Sequence, residues 1–74
     1  MTVDVIELGV FGLTIKGNSI TSDLHESDET EIEKAYFDAI ESMVLAHHVA
    51  GINITTPAYK EGIEVAVESF YNNQ

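Results

Sequence analysis

The 74 residues contain no cysteine, no arginine and no tryptophan, and proline occurs once, at Pro57. Without cysteine there is no disulfide framework, no thiolate metal site and no cysteine nucleophile. The shortage of positive charge excludes more. Three lysines stand against thirteen acids, a formal net charge of -10. Binding to nucleic acid through phosphate neutralisation needs a basic footprint and is set aside, as is binding to an anionic membrane surface. No apolar run approaches the roughly 18 residues of a membrane span. The opening residues lack the basic stretch and apolar core of a signal peptide, so a cytoplasmic location is expected.

Apolar side chains, by contrast, are plentiful. They make up 45% of the residues, and the mean hydropathy is +0.05, which sets the chain apart from acidic disordered sequences. A chain this short buries only about 60% of the surface that its unfolded form exposes. It carries more apolar side chain than one small monomer can hide. A partner is therefore expected, most simply a second copy in a homodimer or higher homo-oligomer.

The sequence predicts a single α+β domain over 1–74, with a short antiparallel β-meander of two or three strands in 1–22 followed by an antiparallel two-helix hairpin. Phe11, Leu13 and Ile15 alternate with Gly12, Thr14 and Lys16, the period of a strand with one apolar face. Gly17-Asn18 then supplies a two-residue hairpin turn before Ser19-Ile20-Thr21 and sets Ile15 opposite Ile20. Val3 to Leu8 is a further strand with imperfect alternation, separated from the next by a turn or bulge at Gly9 and Gly12.

The first helix is expected over 28–50, capped by Ser27 or Asp28, with Gly51 just past its end. Ile32, Tyr36, Ala39, Met43, Ala46 and Ala50 step by 4, 3, 4, 3 and 4 and form a continuous stripe. Phe37, Ile40, Val44 and His47 widen the apolar face, so this helix is expected to be covered on two sides. The second helix is expected over 57–71, with Thr56 as N-cap and Pro57 at the first position. Gly62 lies inside it at a cost of about 1 kcal/mol against alanine, and close approach of another backbone would compensate. The expected core is Phe11, Leu13, Ile15, Ile20, Ile32, Tyr36, Ile40, Met43, Ile63, Ala66 and Phe70.

Catalytic chemistry has few candidates. His47 and His48 are adjacent, so their side chains diverge on a helix. Glu41 to His48 spans about 10.5 Å of helix rise, too far for one ion. His47 is expected to pack, and His48 to meet solvent or an interface. No nucleophile elbow and no glycine-rich phosphate loop are present. No catalytic residue, no metal and no cofactor is expected. Eight of the 13 acids lie between Asp23 and Glu41, interrupted by Lys34 alone. Such a run either keeps an apolar small protein soluble or forms a surface for a basic partner, which it would attract over long range. The residues expected to contact that partner are Glu29, Glu31, Glu33, Asp38 and Glu41, with Phe37 and Leu24 as apolar anchors beside them.

The runs Tyr36-Phe37-Asp38-Ala39-Ile40-Glu41-Ser42, Ala50-Gly51-Ile52, Thr56-Pro57-Ala58-Tyr59, Ala66-Val67-Glu68 and Asn72-Asn73 resemble small uncharacterised proteins encoded by tailed phages and prophages. The resemblance covers the C-terminal half. It implies an accessory protein acting in the host cytoplasm, from a class in which small acidic inhibitors of host proteins, antiviral defence proteins among them, are common. Charge and resemblance together lead to the expectation of a non-catalytic protein that binds and inhibits a basic host protein. The alternatives are a homo-oligomeric small-molecule binder, with Tyr36, Tyr59, Tyr71 and His48 supplying polar contacts, and a structural accessory protein.

Overall fold

The computed structural model describes residues 5–73. Three short strands, β1 (Val5–Glu7), β2 (Thr14–Lys16) and β3 (Ser19–Thr21), are followed by two helices, α1 (Glu31–Val49) and α2 (Pro57–Asn72). The sheet is antiparallel in the order β1-β2-β3. Met1–Asp4 fall outside the described residues, so of the strand expected over Val3–Leu8 the described part is 5–8, of which Val5–Glu7 is paired as a strand.

Register follows from one row of side chains. Ile6 pairs with Ile15, and Ile15 with Ile20, which places three β-branched residues side by side on the inner face. The expected Ile15–Ile20 pairing is thus present. Phe11 departs from expectation. It belongs to the turn between β1 and β2, with φ +50, flanked by Gly9 and Gly12 at φ +75 and +65. Its carbonyl accepts from the Asp23 amide at 2.8 Å, which ties the turn to the segment leaving β3. Gly12 is required twice over: its φ is positive, and a Cβ there would lie 2.2 Å from an Asp23 carboxylate oxygen.

The cap of α1 is also displaced from expectation. Neither Ser27 nor Asp28 serves. Thr30 is the N-cap, and it exchanges hydrogen bonds with Glu33 in a capping box. Two side chains there satisfy two orphan donors together, which a serine or aspartate further out does not. At the other end Gly51 takes φ +87, its amide donates to His48 O, and the Ile52 amide donates to His47 O. This is the Schellman arrangement. Thr56 caps α2 and Pro57 opens it, as expected. The helices run antiparallel. Tyr36 donates to the Ala66 carbonyl near one end, and His47 meets Tyr59 near the other.

The core corrects the helix stripe. Leu8, Val10, Leu13, Ile15, Leu24, Phe37, Ile40, Val44, Ile54, Ile63 and Val67 are buried. Ile32 is 72% exposed and Met43 41% exposed, although both were expected inside. Phe11, Ile20, Tyr36, Ala66 and Phe70 are half-buried at the margin of the core. The helix carries two apolar stripes about 100° apart. Phe37–Ile40–Val44 has the longer side chains and spans the distance to the sheet and α2. The rival stripe is half alanine; its Tyr36 packs against α2, and the rest of it faces outward. No helix among the described residues is long and apolar enough to cross a membrane.

Two substitutions separate the stripes. Phe37→Ala should cost about 3–5 kcal/mol, whereas Ile32→Ala should stay within about 0.5 kcal/mol, both measured by urea unfolding. Thr30→Ala should cost about 1 kcal/mol through loss of the cap, and equal stability to the parent would exclude the capping box as a contributor.

Candidate functional site

The segment from Ser22 to Thr30 links the sheet to α1. Leu24 anchors it by entering the core, and its amide donates to Ser22 Oγ. The next residue, His25, is thereby set against the side of α1, its ring edge-on to Phe37 at 6.0 Å between centroids.

Three carboxylates surround this imidazole. Glu29 accepts from Nδ1 at 2.9 Å and 3.0 Å through its two oxygens. Nε2 lies 3.0 Å from Asp38 Oδ1 and 3.3 Å from Glu41 Oε1. Ser22 Oγ donates to the other Glu41 oxygen. The side chains of Glu29 and Glu41 are only 13% and 15% exposed, while Asp38, at 55%, opens to solvent. Asp38 and Glu41 are one turn apart on α1 and project from one side of it, and the non-helical linking segment brings His25 and Glu29 to the same place.

The acids expected to form a partner surface are therefore not equivalent. Glu29, Asp38 and Glu41 converge on His25. Glu33 is engaged in the capping box. Glu31 is exposed at the start of α1. Phe37 and Leu24, expected as surface anchors, are 1% and 5% exposed. They hold sheet, linking segment and α1 together, and neither is available to a partner. His25 was missed because its partners come from two elements. The one signal in the sequence was the Asp38–Glu41 spacing, a same-side pair on a helix; His25 precedes the helix, where spacing carries no such information.

The electrostatics follow from the geometry. The hydrogen bond to Glu29 is the largest influence on His25 and, with the charge of Glu29 and the hydrogen bond and charge of Glu41, raises its pKa above the usual 6.5, against burial, the second-largest effect, which lowers it. At the far end of the hairpin, His47 Nδ1 and the Tyr59 hydroxyl are hydrogen-bonded, and burial raises the Tyr59 pKa. Tyr71, exposed at the end of α2, is raised by burial and then by the charges of Glu26, Glu33 and Glu29.

Comparison of the chain with protein-family models, with curated proteins and with solved structures returns no match.

Because the folded pKa of His25 lies above the unfolded value, its contribution to stability is complete below about pH 6.5 and is lost as pH rises through the folded pKa. In chelator-treated buffer, the urea midpoint should fall as pH increases from about 6.5. His25→Gln should flatten that slope; an unchanged slope in the variant would assign it to other groups.

Proposed function

We propose that this chain is a non-catalytic binding protein that docks on, and blocks, a basic helical surface of a host protein. The observation that carries the reading is the outward face of the helix pair. Ile32, Ala35, Ala39, Met43, Ala46 and Val49 are exposed along α1. Beside them on α2 lie Ala58, Gly62, Val65 and Ser69, also exposed. A Cβ at Gly62 would meet nothing within 4 Å, so none of the described residues uses the space that glycine leaves.

Acids border this apolar strip on both long edges: Glu31 and Asp38 on α1, and Glu61, Glu64 and Glu68 on α2. A flat apolar floor between two negative edges suits an amphipathic helix whose apolar stripe is flanked by lysine or arginine. The apolar anchors would supply affinity, and the acidic edges would supply approach rate and selectivity. Anchors of this kind are Ile32, Met43 and Val49, in place of Phe37 and Leu24. The resemblance of the C-terminal half to phage and prophage accessory proteins supports a host protein, such as a defence or nucleic-acid-binding protein, as the target.

A second copy of the chain could also cover the strip, as its apolar excess suggests. Charge separates the two occupants. Two chains of charge -10 repel, so self-association should strengthen as salt rises, whereas binding to a basic partner should weaken. The test compares capture of host proteins by the parent, by Ile32→Ser/Met43→Ser and by Glu61→Lys/Glu64→Lys, at about 50 and 300 mM salt. Retention of one protein by the parent at low salt, lost at least tenfold in both double variants while each remains folded, is expected. Equal capture by all three would overturn the reading, and a salt-strengthened dimer seen by sedimentation would replace it with self-association.

A further inference from the structure

We infer that His25, Asp38 and Glu41 form a binding site for one divalent first-row cation of the zinc type, with Glu29 and Ser22 orienting the ligands. The first ground is distance. An ion with ligands at about 2.0–2.1 Å places neighbouring ligand atoms about 3.0 Å apart on an octahedron and about 3.3 Å apart on a tetrahedron. Nε2 of His25 stands 3.0 Å from Asp38 Oδ1 and 3.3 Å from Glu41 Oε1. All three ligand atoms lie within 4.8 Å of one another, so small rotations of exposed Asp38 close the remaining edge.

The second ground is the imidazole's orientation. Glu29 takes the proton of Nδ1, which turns Nε2, the nitrogen that would bind an ion, toward the two other carboxylates. A carboxylate behind a histidine fixes the tautomer and raises its basicity as a ligand, and a hydroxyl on the far oxygen of a ligating carboxylate holds it in the same way. Ser22 does this for Glu41.

The third ground is independent of hydrogen bonding. Three carboxylates, two of them largely buried, share one histidine, and among the described residues no lysine lies within ion-pair distance of any of them. A proton on Nε2 supplies one positive charge against three negative ones. A divalent cation supplies two in the same place and leaves one negative charge uncompensated instead of two. An imidazole nitrogen among the ligands suits zinc, whereas magnesium prefers oxygen ligands alone. Asp38's exposure gives the ion an entry path and room for water in the remaining positions.

The experiment uses the whole chain at pH 7.5 after treatment with EDTA, titrated with zinc chloride and, separately, magnesium chloride. Expected are one equivalent of zinc bound by calorimetry, a melting temperature raised by about 5 °C or more, and a zinc-induced shift of the His25 Nε2 resonance in nitrogen-detected NMR of the histidine rings. Magnesium should do none of these at equal concentration. Asp38→Asn, at an exposed position, should weaken zinc binding at least tenfold, and His48→Ala should not alter it. An unshifted His25 resonance, or equal affinity in parent and Asp38→Asn, would overturn the proposal. In that case the cluster is a protonated histidine clamp, and zinc bound elsewhere is adventitious.

Discussion

Phe37 is the contact on which the rest of the molecule depends. Each strand has three residues, and a sheet so small is marginal in water without a floor. Phe37, Ile40 and Val44 provide that floor. Phe37 also makes ring contacts with Phe70, Tyr71 and His25, so one side chain joins α1 to α2 and to the linking segment. Tyr36 and Phe70 then stack at 4.3 Å with a 10° tilt. The aromatic residues, few in number, are concentrated where three elements must be held together.

Much of the architecture was legible because it rests on local chemistry. Gly17-Asn18 gave the hairpin and its Ile15–Ile20 register, Thr56-Pro57 gave the start of α2, and Gly51 gave the end of α1. Each of these depends on a neighbouring residue or two. The failures depend on what lies across space. Two stripes on α1 have nearly the same period, and periodicity alone cannot choose between them. The deciding quantity is side-chain reach, where the unbroken set Phe37, Ile40 and Val44 exceeds a stripe that is half alanine. Leu8, Leu24 and Ile54 were not expected in the core, Leu24 being assigned to a partner surface instead, because each enters it from a turn or connecting segment, where no periodicity marks it. Phe11 illustrates the converse: its alternation with Leu13 and Ile15 suggests a strand, but the two flanking glycines carry it into the turn.

The candidate site was legible only in fragments. The density of acids in 23–41 was plain, but their roles were not. On the sequence they form one run; in the structure they divide by partner. Glu33 belongs to the cap of α1, while Glu29, Asp38 and Glu41 belong to His25. A histidine seven residues from Glu41 on the same helix was weighed for metal binding, and a histidine 16 residues away on another segment was the one in contact. Helical spacing limits such searches to one element, whereas sites of this kind are assembled by a turn between two.

These assignments alter how the charge of -10 should be understood. If all the acids were free, the chain would present a diffuse negative surface, and salt would act on it uniformly. Instead, the acids that meet His25 lie on one side of α1 and are occupied with each other, while Glu61, Glu64 and Glu68 on α2, with Glu31 on α1, remain facing solvent. The two functions that carboxylates can serve here are thereby divided between two places that meet at Asp38, which belongs to the His25 cluster and also borders the strip. The partly buried group has a fixed geometry and a local need for positive charge, and it responds to a proton or an ion. The exposed group frames an apolar strip, and it responds to ionic strength and to a partner's charge. Because α1 connects them, neutralising the His25 cluster would steady the helix that carries Ile32 and Met43 without touching the strip itself. Coupling between the two would run through Asp38, which meets His25 and also borders the strip, and through the rigidity of that helix, since none of the acids on the strip's α2 edge contacts His25.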